Sequence, residues 1–119
     1  MRVILDAVLP VPPSVNAYLK RRRNGGSYKS QKALNFESTV TALCYEAGVY
    51  QPTDKPIGIT FKLYPKNVRS DLDNVFKVLL DSFEHLVYEN DNQVVKISAE
   101  KFPVDKQNPR VEISIAIID

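Results

Sequence analysis

The chain has 119 residues, of which 44% are hydrophobic and 25% charged, and its net charge is +2. This composition is typical of one soluble globular domain and excludes a collagen, a coiled coil and a wholly disordered chain. No apolar run reaches the length of about 18 residues that suggests a membrane span, and a lone cysteine and histidine exclude a Cys/His zinc site. With an N-terminus too short and too soon interrupted by Asp6 to be a signal peptide, we expect one cytoplasmic domain over residues 1–119.

The first half of the chain predicts a strand, a basic loop and a helix. Residues 2–9 alternate weakly, which predicts a strand with one face formed by Val3, Leu5, Ala7 and Leu9. Residues 19–29 are basic and contain Gly25-Gly26, so we expect a mobile loop there. Over 30–47 the apolar residues recur at helical spacing, and Gly48 is a typical stop signal.

The second half predicts a strand, a helix and two further strands. Residues 57–63 alternate strictly, and 72–87 carry a continuous apolar stripe at helical spacing. Residues 94–102 and 111–118 are predicted strands, and their short polar link suggests an antiparallel hairpin. The order β-α-β-α-β-β predicts an α+β fold with two layers, in which two helices pack on a mixed four-stranded sheet.

The charges are unevenly distributed along the chain. Residues 71–91 hold six acids and one base, whereas residues 20–32 hold six bases and no acid. A basic segment attracts a polyanion, and a compact acidic patch can hold a divalent cation. Each segment alone is most often a solvated face, but together they favour nucleic-acid chemistry.

The segment from Ser70 to Lys77 joins a predicted strand to a predicted helix and carries the main candidates for catalysis. Asp71 and Asp73 can bind one cation if Asp71 lies at or before the helix start and Asp73 lies in the first turn. The same acids equally suit a helix cap and the helix dipole. Lys77 suits either a metal-bound phosphate or a simple ion pair with Asp73.

Asp91 is the third candidate acid, although its segment Asn90-Asp91-Asn92-Gln93 is also typical of a turn. A helix of the predicted length would separate Asp91 from Asp71 and Asp73 by about 22 Å, unless the chain runs back or the ends of the next strand are offset. Three carboxylates and one lysine, without Cys or His ligands, suit a hard cation such as Mg²⁺.

The chain resembles the family of RusA-type Holliday junction resolvases. The resemblance is carried by Pro12-Pro13-Ser14-Val15-Asn16 after the first strand, by Asp71-Leu72-Asp73-Asn74 with Lys77, by Asp81, and by Asp91-Asn92-Gln93-Val94-Val95. It covers nearly the whole chain. It implies that Asp71, Asp73 and Asp91 are metal-binding catalytic acids and that Lys77 is a catalytic lysine.

The resemblance also implies a cofactor, a substrate and an assembly. Members of the family act as homodimers that introduce paired symmetric nicks across four-way DNA junctions with Mg²⁺ or Mn²⁺. From the basic stretch and its neighbours we expect the DNA-binding residues to be Asn16, Lys20, Arg21, Arg22, Arg23, Lys29, Lys32 and Arg69. No membrane partner is expected.

Two other functions remain open at the level of sequence. A nucleic-acid-binding module without catalysis would use the basic stretch equally well, and a metal-dependent nuclease could act on another DNA structure. The acid cluster separates the first alternative from an enzyme, because carboxylates facing phosphate repel it unless a cation intervenes.

Overall fold

The computed structural model describes residues 1–119 and contains six strands and three helices. In chain order they are β1 (Arg2–Leu9), α1 (Val15–Tyr18), β2 (Leu19–Arg21), β3 (Ser27–Lys29), α2 (Gln31–Glu46), β4 (Ile57–Tyr64), α3 (Leu72–Phe83), β5 (Val94–Lys101) and β6 (Arg110–Ile117). A 3₁₀ turn over Asp91–Gln93 leads into β5. No helix is both long enough and apolar enough to cross a membrane.

The main sheet has four strands in the order β1-β6-β4-β5, in which β4 and β5 are parallel and the other pairs are antiparallel. The strict alternation of β4 predicted one buried face, and Ile57, Ile59, Phe61 and Leu63 are buried while Thr60 and Lys62 are exposed. The helices α2 and α3 pack on this buried face. The predicted α+β fold with two helices on a mixed four-stranded sheet is confirmed.

One hydrophobic core joins the two layers. Helix α2 contributes Phe36, Val40 and Cys44, and α3 contributes Val75, Val78, Leu79 and Phe83. Phe61 of β4 stacks on Phe76 of α3 with the ring centroids 6.0 Å apart. Cys44 is 2% exposed, and burial raises the pKa of its thiol to about 11. The sheet face opposite the helices lies open.

The predicted antiparallel hairpin of β5 and β6 is wrong, because β4 lies between these two strands. Helix α3 carries the chain from β4 to a parallel β5 at one edge of β4, which leaves the other edge free for β6. The link from β5 to β6 therefore crosses the end of β4. The amide of Phe102 donates to the Leu63 carbonyl at 2.8 Å, and that of Asp105 donates to the Pro65 carbonyl at 2.8 Å.

Helix α3 ends at Phe83, four residues before the predicted end at 87. His85 adopts a positive φ of 71°, and the amides of Leu86 and Val87 turn back to the Phe83 carbonyl. The apolar stripe in the sequence extends beyond the end of α3 because Val87 and Tyr88 are also buried, in the turn that follows the helix.

Two smaller differences concern the first half of the chain. Residues 19–29, expected as a loop, form the hairpin of β2 and β3, and its turn uses positive φ at Gly25 and Gly26. Val3 was expected on the buried face of β1 but is 48% exposed. A register shift between Val3 and Leu5 reverses the alternation at that point.

We expect Leu79→Ala to lower the free energy of unfolding by about 2–5 kcal/mol, because the substitution leaves a cavity under the sheet. Leu79 is 0% exposed in the middle of α3. Lys77→Ala on the exposed side of the same helix is the control and should cost less than about 1 kcal/mol. Urea unfolding followed by circular dichroism measures both, and equal losses would contradict this packing.

Candidate active site

The start of α3 holds Asp71 and Asp73 together at the end of the β4–α3 connection. Asp71 is the helix N-cap, and its Oδ1 accepts a hydrogen bond from the Asp73 amide at 3.0 Å. Its Oδ2 accepts a longer bond from the Asn74 side chain at 3.4 Å. Both carboxylates are exposed, so the capping of α3 by Asp71 does not prevent either carboxylate from reaching a cation.

A groove of about 610 Å³ runs beside Asp71. One wall is the proline-rich turn from Pro10 to Ser14, and three basic side chains line it as well: Lys32, Lys66 and Arg69. Lys32 comes from the first turn of α2, whereas Lys66 and Arg69 come from the loop before α3. The groove thus combines an acid at a helix start with cations that can neutralise phosphate.

Lys77 is exposed on α3, one helical turn after Asp73. It takes part in none of the five salt bridges, so the alternative of an Asp73–Lys77 ion pair is not realised. Burial and Glu84 raise the pKa of the Asp81 carboxyl, and the charge of Lys77 opposes that rise. Lys77 therefore lies between Asp73 and Asp81 with its ammonium available to a ligand.

Asp91 lies at the opposite end of α3 from Asp71 and Asp73. Its amide donates to Glu84 Oε2 at 2.9 Å, and Glu84 is the C-cap of α3. The 12 residues of α3 rise about 1.5 Å each, which separates the two ends by about 18 Å. No group of three acidic, His or Cys side chains within the chain is close enough to hold one metal ion. The chain does not run back, so one copy does not assemble the three predicted acids.

Most of the predicted DNA-binding residues fall into two groups. Lys32 and Arg69 line the groove beside Asp71. The second group is exposed on the β2–β3 hairpin and its turn and consists of Lys20, Arg21, Arg22 and Arg23. Within it, the Arg22 guanidinium lies 5.4 Å from the centre of the Tyr28 ring. The two remaining residues belong to neither group. Asn16 is exposed on α1, and Lys29 is paired with Glu37 at 2.9 Å.

The base of this hairpin is tied to α2 through Glu37. Tyr18 and Lys29, on either side of the hairpin, both donate to the Glu37 carboxylate. Burial and the hydrogen bond to Glu37 raise the pKa of Tyr18 to about 12, so the phenol stays protonated near neutral pH. The exposed basic tip therefore extends from a base that is anchored to the first half of α2.

No sequence pattern pointed to Lys101, the last residue of β5. Its Nζ donates to the Ser70 carbonyl at 2.5 Å and to the Val68 carbonyl at 3.4 Å. These residues are more than 30 positions apart in sequence, so no local pattern could have paired them. Nearby in the fold, the Arg110 guanidinium lies 3.8 Å from the centre of the Tyr64 ring, which stacks on Phe102.

The donors at the start of α3 fit a hard divalent cation. Asp71 and Asp73 offer carboxylate oxygens, and neither is bound to a cationic side chain. Mg²⁺ is typically held by one or two carboxylates together with substrate phosphates and water. The three basic side chains that line the groove can neutralise such phosphates.

Comparison with known proteins agrees with this chemistry. The family described as Endodeoxyribonuclease RusA matches residues 10–116. The chain belongs to the RusA endodeoxyribonuclease family. It is 34% identical over 87 residues to the crossover junction endodeoxyribonuclease rusA of Enterobacteria phage HK97, and the match covers 72% of each chain.

The chain is also similar to the uncharacterized protein YqaN of Bacillus subtilis (strain 168), to which it is 36% identical over 70 residues. That match covers 59% of this chain and 38% of the Bacillus protein, so the chain spans well under two thirds of that relative. Membership in the family confirms the resemblance found in the sequence and supports an enzyme that hydrolyses phosphodiester bonds.

We expect replacement of Arg21, Arg22 and Arg23 by Gln to weaken binding to any DNA and to flatten its salt dependence. Each phosphate contact that is lost removes about 0.9 from the slope of log K against log salt on duplex DNA. Lys55→Gln, an exposed lysine before β4, is the control and should leave the slope unchanged. Fluorescence anisotropy at several salt concentrations measures the slopes, and an unchanged triple variant would exclude the hairpin from the DNA interface.

Proposed function

We propose that this protein is a divalent-metal-dependent endodeoxyribonuclease that resolves four-way DNA junctions by paired symmetric nicks. The observation that carries the proposal is the pair Asp71 and Asp73 at the start of α3, beside a groove lined by three basic side chains. Family membership supports DNA as the substrate. The name of the phage relative, a crossover junction endodeoxyribonuclease, supports a branched substrate.

In this proposal Asp71 and Asp73 hold Mg²⁺, and Mn²⁺ can replace it. When bound, the cation polarises the scissile phosphodiester and lowers the pKa of a water molecule toward neutrality. Asp71 is oriented by its bond to the Asp73 amide, so the helix start fixes the direction of its carboxylate. Lys77, without a protein partner, stabilises charge that develops on the phosphate.

The basic residues bind the DNA backbone on both sides of the acids. Lys32, Lys66 and Arg69 neutralise phosphates in the groove, while the hairpin extends the contact along a second arm of the junction. Asn16 and Lys29 join this surface at the base of the hairpin. Lys29 first has to leave Glu37, whose carboxylate keeps its hydrogen bond from Tyr18.

The protein acts as a homodimer in this proposal, because a junction needs two cuts on opposing strands. Strand β5 supports such an assembly: it is an edge strand of eight residues, it contains no proline, and seven of its residues are exposed. An edge of this kind can pair with a second strand. If β5 pairs with its copy across a two-fold axis, the two strands are antiparallel. The start of each β5 then lies beside the end of the other.

This symmetry also supports a role for Asp91. In an antiparallel β5 pair, the start of one strand lies near the end of the other. Asp91 precedes β5, whereas Lys101 at its end contacts the loop that leads to Asp71. We therefore assign Asp91 to the metal site of the partner subunit, about one helix length from the Asp71 of its own chain.

We expect Asp71→Asn, Asp73→Asn and Asp91→Asn each to reduce junction cleavage at least about 100-fold, because each removes a charged metal ligand. Binding of intact junctions should persist or tighten, since repulsion of phosphate falls. Asp54→Asn, an exposed acid before β4, is the matched control and should cleave normally. Cleavage of a labelled synthetic junction with Mg²⁺ measures the rates, and a chelator should abolish them.

The same assay tests the substrate and the reaction. A resolvase yields two linear duplexes with ligatable nicks at symmetric positions and leaves matched linear duplex uncut. Equal cutting of the linear duplex would instead favour a nuclease of another specificity. Tight junction binding without any metal-dependent cutting would make the protein a binding module.

We expect a mixture of Asp73→Asn and Asp91→Asn chains to recover cleavage that neither variant has alone. If each site combines Asp71 and Asp73 of one chain with Asp91 of the other, the mixed dimer contains one intact site. It should nick the junction once and leave it unresolved.

Sites formed within one chain would contain one substitution in each half of the mixed dimer, so the mixture would stay inactive. That result, with wild-type activity intact, would contradict the shared site. Sedimentation of the wild-type protein provides the second check, and a monomer at working concentration would contradict the dimer itself.

A further inference from the structure

The side chain of Lys101 is bound to the loop that leads into the candidate acids. Lys101 ends β5, and its Nζ reaches the carbonyls of Ser70 and Val68 at 2.5 and 3.4 Å. Ser70 immediately precedes Asp71, the N-cap of α3. The ammonium group of Lys101 thus connects the end of β5 to the loop residues that immediately precede Asp71.

The loop has few other bonds that hold its shape. The Arg69 amide donates to Asn67 Oδ1 at 3.0 Å, and the Ser70 amide donates to the Asn67 carbonyl at 3.5 Å. Both bonds stay inside the loop and do not attach it to the sheet. No backbone amide donates to the Ser70 or Val68 carbonyl, so Lys101 is the donor for both.

The charge of Lys101 is not used elsewhere in the chain. Lys101 is exposed and belongs to none of the five salt bridges. An exposed lysine normally keeps its ammonium in water, because ordering its long side chain costs entropy. Hydrogen bonds from a charged ammonium to two loop carbonyls are stronger than neutral ones and can offset this loss of side-chain entropy.

We propose that Lys101 is a positioning residue for the metal site, because its ammonium clamps the Val68–Ser70 loop to the end of β5 and so fixes the carboxylate of Asp71. This inference rests on the proposed nuclease function for its catalytic consequence, but the clamp itself is a property of the fold. Without the clamp the loop that carries Arg69 and leads into Asp71 gains freedom. Misplacement of a metal ligand or its support commonly costs about 10- to 100-fold in activity or metal affinity.

The first measurement needs neither DNA nor metal. In Lys101→Met the amides of Arg69 and Ser70 should exchange with deuterium at least about tenfold faster, because the loop opens more often. Lys101→Arg keeps a charged donor and should restore part of the protection. Lys106→Met, an exposed lysine of the β5–β6 link, is the control and should leave exchange in the loop unchanged.

The second measurement is junction cleavage at saturating DNA over a range of Mg²⁺ concentrations. We expect Lys101→Met to cut about 10- to 100-fold more slowly and to need more Mg²⁺ for half its maximal rate, with partial recovery in Lys101→Arg. Unchanged exchange in Lys101→Met would overturn the clamp. A loss confined to DNA affinity, with a salt slope lower by about 0.9, would make Lys101 a phosphate contact instead. A wild-type protein that never cuts would contradict the proposed nuclease function, while the exchange result would still decide the clamp.

Discussion

The burial of one face of α3 against β4 is the constraint on which the candidate site depends. Val75, Leu79 and Phe83 lie in the core, so the helix can neither rotate nor slide without opening a cavity. The opposite side of α3 must then face solvent, and Asp73 and Lys77 lie there. Asp71 caps the same helix, so the packing of apolar side chains determines where the carboxylates point.

Most of the fold could be predicted from periodicity. The strict alternation over 57–63 and the apolar stripe of α3 each depend on one buried face, and both correspond to observed elements. The order of the strands could not be predicted in full, because a short link between β5 and β6 suits a hairpin as well as a crossing over the end of β4. The end of α3 was overestimated because Val87 and Tyr88 are apolar for another reason, their burial in a turn.

The candidate site was predictable only where its residues are close in sequence. Asp71, Asp73 and Lys77 lie within one connection and two turns of helix, so their spacing carries the geometry. Asp91 belongs to the other end of α3, and the sequence predicted its separation from Asp71 as about 22 Å, against about 18 Å for the observed helix. Lys66, Lys101 and the pairing of Lys29 with Glu37 depend on contacts between separate elements, which hydrophobic periodicity does not encode.

The burial of Cys44 leaves the surface of the protein without a reactive thiol. It is the chain's one cysteine, it lies in the core, and its thiol has a raised pKa of about 11. Thiol reagents react with the thiolate, so this side chain is protected both by low ionisation and by packing. A cysteine introduced at the exposed Asn24 in the hairpin turn would therefore accept a spin label or fluorophore alone. The natural sequence thus provides a background in which distances from the basic hairpin to DNA can be followed spectroscopically.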